Sequence, residues 1–366
     1  MNEFAQDCAE LLRRQLATGT ISRRGFLLAS SALGLTLAAG SEPASAADPD
    51  VVMANWGGDA ERALGRTFVP AYERLTGRKM VMDGSGPSNG KIRAMVEAKA
   101  VTWDVCDCGM AAMSELGPIG MLQPMDYGVI DKSRVFPGFA YDHGVCNYLF
   151  SIVMAWDTKV ISGQPTLADF FDLKKYPGKR SMKKDPVAMM EVALMADGIP
   201  PDQIYPLDRD RALKKIATIK NDTLFWANAT QSQSLLRDGE VVMGLLWNTR
   251  ATVLKKETEG RIDWSYRQGF LQHGCWVVPT GNPAGKQAMV AIAAMQDPEA
   301  QVELFKALNN GPANPQAAAM VQDDLKALNP GAPENAALQA KVNPNWYLKD
   351  NNYAVSQRMF LDMISG

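Results

Sequence analysis

The sequence predicts an α/β fold in two lobes, on three observations. Short apolar runs alternate with stretches whose apolar residues recur every three and four positions, the alternation resumes after the middle of the chain, and residues 47–366 suit one large or two medium domains at the usual ~150 residues per domain. Strand, helix, strand, helix, strand requires crossover connections and so a mainly parallel sheet. Two lobes account for the resumed pattern better than one sheet.

The elements follow in order. Asp50–Trp56 (DVVMANW) reads as a short apolar strand. After Gly57-Gly58, Asp59 is placed to cap a helix carrying Ala60, Leu64, Phe68, Ala71 and Leu75 at helical spacing, and Gly77 stops it. KMVMDG gives a second strand, Asn89–Ala98 a second helix, and TWDVCDCG a third strand. Past the middle, Tyr148–Trp156 (YLFSIVMAW) is a buried strand and GKRSMKKD another; Ala188–Asp197 and Arg209–Ile219 are helices. Val241–Asn248 (VVMGLLWN) is a central strand and Cys275–Pro279 (CWVVP) one more. From Ala284 to Gly366 the pattern is helix-rich, broken by loops at NNGPANP and LNPGAPEN. There is no internal repeat.

The front of the chain differs. Arg23 and Arg24 precede an apolar run, Gly25–Gly40, and Ala44-Ser45-Ala46 has the small-x-small pattern of a cleavage site. The run is shorter than the ~20 residues a spanning helix needs. Its Ser-Arg-Arg-x-Phe-Leu order resembles a twin-arginine export signal. Residues 1–46 are therefore expected to be removed near Ala46, leaving a protein free in the periplasm. No cysteine stands at Ala47 for lipid attachment. Forty acidic residues balance 38 basic ones with no basic block, which excludes a nucleic-acid partner. An oxidising compartment permits disulfides among Cys106, Cys108, Cys146 and Cys275 in three connectivities; a Cys106–Cys108 bridge across one residue would be strained, and the spacing is not that of a zinc site.

Gly84–Gly90 (GSGPSNG) admits three readings. Gly86-Pro87-Ser88-Asn89-Gly90 matches the G-x-S-x-G of a serine hydrolase, with His143 or His273 as base, but Pro87 makes the loop roomy where a nucleophile elbow is tight. The glycines also echo a dinucleotide fingerprint, although that belongs to the first strand of its domain and here a strand and a helix precede it. The third reading is a helix start that holds a polar ligand group through Ser85, Ser88 and Asn89. No H-E-x-x-H, Walker or kinase motif occurs, and only two histidines exist. The frequent methionines, as in AMMEVALM, read as core filling. Trp56 and Trp247 end strands, Asn248, Thr249 and Arg250 follow directly, and Asp185 ends GKRSMKKD. Ligands of parallel sheets sit at the carboxyl ends of strands, so these residues predict a cleft between the lobes.

The strand-Trp-Gly-Gly start with FVPAYERLTGRKM, then SNGKIRAMVEA, WDVCDCG, TLADFFDLKKYPGKRSM, LLRDGEVVMGLLWNTRA and CWVVPTGNPAGKQAM, in this order, resembles the periplasmic substrate-binding proteins of ABC importers, most nearly their spermidine/putrescine-binding branch. The resemblance covers essentially all of residues 47–366. It implies the two-lobed periplasmic binding protein fold (type II), hinged lobes with a ligand cleft between, lobe 1 being 47–149 plus 276–325 and lobe 2 being 150–275 plus 326–366. By position, Trp56, Gly58, Asp59, Ser88, Asn89 and Asp107-Cys108-Gly109 line one side, and Asp185, Trp247, Asn248, Arg250 and the stretch from Gln272 to Cys275 the other. It implies a monomer without cofactor or catalytic activity, delivering a small polar solute to a membrane permease. For a polyamine, aromatic faces would hold the methylene chain and carboxylates the ammonium ends. The sequence departs from the polyamine pattern at Gly57-Gly58-Asp59 and at Gln272 and Gly274, where acidic and aromatic residues are missing, and it adds Arg250. An amino-carboxylate or organic acid held by Arg250 is the alternative ligand, and a sensor that reports to a receptor the alternative role.

Overall fold

The computed structural model describes residues 51–366; the export signal and its cleavage near Ala46 lie outside the described residues. The strands, in chain order, are β1 (Val51–Ala54), β2 (Met80–Asp83), β3 (Val105–Cys108), β4 (Ala140–Tyr141), β5 (Gly144–Asp157), β6 (Arg180–Lys183), β7 (Thr223–Trp226), β8 (Met243–Trp247), β9 (Ile262–Val277), β10 (Gly311–Pro312) and β11 (Ala340–Lys341). They form one hydrogen-bonded path, β2-β1-β3-β9-β5-β8-β6-β7, with β4 and β10 on β5 and β11 on β9.

At both ends of the path the strands are parallel, β2-β1-β3 at one and β8-β6-β7 at the other, each joined by crossover helices. The middle is antiparallel: β3 against β9, β9 against β5, β5 against β8. The expected pair of separate sheets is thus corrected. β5 and β9, 14 and 16 residues long, each reach from one lobe into the other, and their pairing fuses the two parallel sheets. Each lobe keeps its own apolar packing. In one, the helix Gly58–Thr76 buries Leu64, Phe68 and Tyr72 against Ala288 and Ile292, with Phe68 edge-on to Trp276 at 6.0 Å. In the other, Phe170, Met189, Ile216 and Trp226 pack under Leu245 and Leu246.

Local chemistry explains most boundaries. Gly77 takes a left-handed φ of 68° and closes the helix Gly58–Thr76, as a C-terminal glycine does without the Cβ penalty. Ser88, Asp208 and Asn228 each accept a backbone N–H as N-caps of the helices Asn89–Glu97, Arg209–Ala217 and Ala229–Arg237. Asp59 does not cap its helix. Gly57 holds that position, and Asp59 lies in the first turn, where its charge complements the helix dipole. Several strands exceed or escape the sequence expectation: β9 begins at Ile262 rather than Cys275, β5 at Gly144 rather than Tyr148, and β7 and the two-residue β4, β10 and β11 are not among the expected strands. Asn248 opens a helix, Asn248–Glu257, instead of ending β8.

No helix among the described residues is long and apolar enough to cross a membrane. The four cysteines are free and buried, and none of the three disulfide connectivities forms. Cys275 lies directly opposite Cys108 on one side and Cys146 on the other, and burial pushes all four thiols above their ordinary range. A thiol titration should therefore find these four unreactive in the native protein and all four reactive in denaturant. Fewer than four after unfolding without reductant would reveal a disulfide.

Candidate functional site

The ends of β1 and β3 supply one side of the site. Asn55 is fully buried beyond β1; its Oδ1 accepts the Gly57 N–H at 2.9 Å and its carbonyl accepts the Gly86 N–H at 3.0 Å. Gly57 has a φ of 72°, and a Cβ there would fall 2.6 Å from the Gly84 carbonyl oxygen, so only glycine allows the two loops to close on each other. This turn directs Trp56 outward, 59% exposed. Gly58 also has a positive φ, of 60°, with open space beside it. Asp59 follows, exposed and ion-paired with Arg62.

The GSGPSNG stretch is a capping loop. Ser88 Oγ accepts the Lys91 N–H at 3.3 Å, Asn89 Nδ2 donates to Glu115 Oε2 at 2.6 Å, and Lys91 Nζ donates to the carbonyls of Ser85 and Gly86. No hydrogen bond among the described residues links Ser88 to a histidine. His273 is buried, its Nε2 paired with the Tyr141 hydroxyl at 2.9 Å, and burial lowers its pKa to about 4. The hydrolase reading fails on this geometry, since Ser88 has no base.

Asp107 ends β3 at 1% exposure beside the buried Cys108 and half-buried Gly109. Its carboxylate accepts from Asn147 Nδ2 at 2.8 Å and from the Tyr148 hydroxyl at 2.9 Å. Burial outweighs these bonds and raises its pKa to about 7. Among the described residues no group of three or more His, Cys, Asp or Glu is placed to hold a metal.

The ends of β6 and β8 supply the other side. Asp185 Oδ1 accepts the Val187 N–H at 2.9 Å, and Oδ2 pairs with Lys183 Nζ at 3.3 Å. Lys183 Nζ lies 5.5 Å from the centre of the Trp247 ring, and Trp247 stands edge-on to Trp226 at 5.1 Å. Asn248 is fully buried with both ends of its side chain bonded to protein: Oδ1 accepts the Ser151 N–H, and Nδ2 donates to Asn309 O and to the Tyr266 hydroxyl.

Arg250 differs from all of these. It lies in the first turn of the helix Asn248–Glu257, half-buried, with its Nε enclosed and without an acceptor, and it enters no salt bridge among the described residues. Burial pushes its pKa down, while the carboxylate of Asp59, on the other side, pushes it up. Nearby on β9, Gln272 is buried with Nε2 unpartnered, as is Ser151 Oγ on β5. A crease of about 550 Å³ between the helices Gly58–Thr76 and Pro298–Leu308 touches these residues only at Asp59. Its Arg62 and Lys306 pair with Asp59 and Glu303.

The sequence reading missed Lys183, Ser151, Asn147 and Tyr148. Lys183 stood in the quoted GKRSMKKD, where the signal was its place at a strand end. The other three fell inside or beside a run that reads as a uniformly buried strand, and only the partner strands show which face each takes.

Residues 67–331 match the family of bacterial extracellular solute-binding proteins. A gamma-aminobutyric acid-binding protein of Pseudomonas aeruginosa is 28% identical over 338 residues, covering 90% of this chain and 94% of that protein. Among solved structures, the Atu4243-GABA receptor is 31% identical with a TM-score of 0.77, covering 86% of this chain and 98% of the other. The binding protein AgtB from A. tumefaciens R10, solved in complex with agropinic acid, is 29% identical with a TM-score of 0.77, covering 87% and 99%. None of these three is named as a polyamine binder.

The Asp107 carboxyl gives this side of the site a pH dependence. Its folded pKa stands above the unfolded one, so its contribution to stability is complete below about pH 4 and is lost as the pH rises through about 7. The Asp107→Asn variant should show a smaller fall in melting temperature between pH 4 and 7.5 than the wild type. Parallel curves would mean that Asp107 titrates normally.

Proposed function

Since the chain belongs to the bacterial extracellular solute-binding proteins and is the solute-binding component of an ABC importer, we propose that its solute carries both a carboxylate and an amine, in the manner of γ-aminobutyrate. The observation that carries this reading is the Arg250 guanidinium, half-buried and without an acceptor. It stands in the first turn of a ten-residue helix whose N-cap, Trp247, provides no side-chain hydrogen bond. Free backbone N–H groups and the positive end of the helix dipole add to the guanidinium's pull on an anion. A planar guanidinium grips a carboxylate through two parallel hydrogen bonds, stronger than neutral ones.

The amine is assigned to Asp59, whose charge Arg250 already feels from the other side. A cation and an anion that sense each other suit the two ends of a zwitterion. Trp56 and Trp247 supply apolar faces for the methylenes. A diamine, by contrast, brings one ammonium toward Arg250 with no carboxylate to compensate, so the polyamine branch of the family is the weaker match. The relatives named for γ-aminobutyric acid and agropinic acid support the same choice.

In this reading the protein works in the periplasm as a monomer. The lobes, 47–149 plus 276–325 and 150–275 plus 326–366, close over the solute about β5 and β9 and present a joint surface to the permease. Closure follows from the solute's preference for the closed state.

Titration calorimetry on protein stripped of solute by unfolding and refolding tests this. Arg250→Ala should weaken γ-aminobutyrate and butyrate alike by about 100-fold, ~2.7 kcal/mol at 1.4 kcal/mol per tenfold, with an unchanged melting temperature. Asp59→Asn should weaken γ-aminobutyrate and spare butyrate, which lacks the amine. Trp247→Ala should weaken γ-aminobutyrate by more than about 1 kcal/mol. Tight putrescine binding by the wild type, unaffected by Arg250→Ala, would overturn the ligand assignment and leave the family standing.

A further inference from the structure

We propose that Asn248 is the hinge pin of the protein, a positioning residue that ties the solute site to every chain segment crossing between the lobes. Three segments make that crossing: β5, β9, and the stretch after the helix Pro298–Leu308 that reaches β11. Asn248 holds all three. Its Oδ1 accepts the Ser151 N–H of β5 at 2.9 Å. Its Nδ2 donates to the hydroxyl of Tyr266 on β9 at 3.3 Å and to the carbonyl of Asn309, at the start of the third segment, at 3.1 Å. The Tyr266 hydroxyl in turn donates to the Leu328 carbonyl, farther along that segment, at 2.8 Å.

The amide has two N–H donors and each has an acceptor; its oxygen has a donor; and the residue is fully buried. With both donors engaged and no exposed surface, it is closed to a solute in this arrangement, although sequence position alone had placed it among the ligand contacts. What it does have is position. Trp247 precedes it, Arg250 follows two residues later, and all three share the start of one helix. A solute that draws on Arg250 and Trp247 shifts a backbone turn whose next side chain grips the hinge. Buried hydrogen bonds of this kind have discrete arrangements, since breaking one without replacement leaves a desolvated polar group, so such a shift is passed on rather than absorbed.

The proposal rests on solute binding between the lobes and not on which solute binds. Its test is first made without ligand. Nitroxide labels on cysteines introduced at the exposed Lys99 and Lys214 report the inter-lobe distance by pulsed electron resonance, the native thiols being buried. Hydrogen exchange reports the Ser151 amide. Asn248→Ala should broaden the distance distribution and speed Ser151 exchange at least tenfold. Tyr266→Phe, which removes the hydroxyl's bonds to Asn248 and Leu328 away from the predicted contacts, should broaden the distribution in the same direction with a near-native melting temperature, and it decides the matter if Asn248→Ala does not fold. With γ-aminobutyrate added, both variants should show a smaller shift in distance than the wild type. Wild-type distributions in both variants, with a loss of affinity in Asn248→Ala alone, would make Asn248 a ligand contact and overturn the proposal. A wild type that binds no γ-aminobutyrate would sink the ligand assignment while the ligand-free measurements still judge the hinge.

Discussion

The antiparallel pairing of β5 with β9 is the constraint on which the remaining structure depends. It runs from Val145 opposite Trp276 to Asp157 opposite Ile262, with register shifts between Cys146 and Leu149 and between Ile152 and Met154. Each shift inserts unpaired residues, which locally increases twist and bends the strand. The pair is thereby divided into a stretch that pairs with β3 on one edge and a stretch that pairs with β8 on the other. Two parallel α/β units would otherwise present open sheet edges to solvent, a liability for any exposed strand. The crossing pair covers both edges, and in doing so it sets the C-terminal ends of β1 and β3 opposite those of β6 and β8.

That arrangement also governs the electrostatics. Two carboxyls drawn into the interior are held by neutral donors: Asp107 by Asn147 and Tyr148, and Glu191 by the hydroxyls of Tyr205 and Tyr347. Burial raises both pKa values to about 7, because hydrogen bonds from neutral groups do not replace the hydration of a full charge. Cations are treated differently. Arg180, fully buried, spends its guanidinium on four backbone carbonyls, those of Phe170, Asp172, Tyr176 and Gly178. Arg250 alone among these buried or half-buried charges lacks such neighbours.

Much of the fold was legible from the residues because local rules and tertiary packing agreed there. The spacing of Leu64, Phe68 and Ala71, the stop at Gly77 and the helix that begins at Asn89 all mark elements that form where their patterns place them. Legibility failed where a strand serves two partners. Ile262–Gly274 mixes polar and apolar residues because its two ends face different lobes, so no single period appears, and the strand was recognised only from Cys275 on. The site shows the same division. Trp247 and Asp185 stand at or just past strand ends as their sequence positions predict, and Arg250 lies in the helix that follows β8. Asn248 shared that signal but turned inward, and its three partners lie 18 to 97 residues away in sequence. Spacing along a chain cannot distinguish a side chain facing a cleft from one facing a hinge.

An unpaired guanidinium in a folded protein is a local disadvantage, as removal from water is uncompensated. It persists where the compensation arrives from outside. Under the proposed function, a solute carboxylate seated on Arg250 would relieve the free protein of that disadvantage, and would do so more fully when the opposite lobe excludes water and lowers the local dielectric. Such a solute would gain more from a closed arrangement than from an open one, and this difference in affinity is the only quantity by which a ligand shifts a conformational equilibrium. A receptor built with Arg250 already satisfied would bind the same carboxylate against a competing internal partner and close less decisively. In that reading the unpaired Arg250 and the buried, bonded amide of Asn248 two residues before it are complementary: one would leave a bond for the solute to make, the other would carry its effect to the hinge.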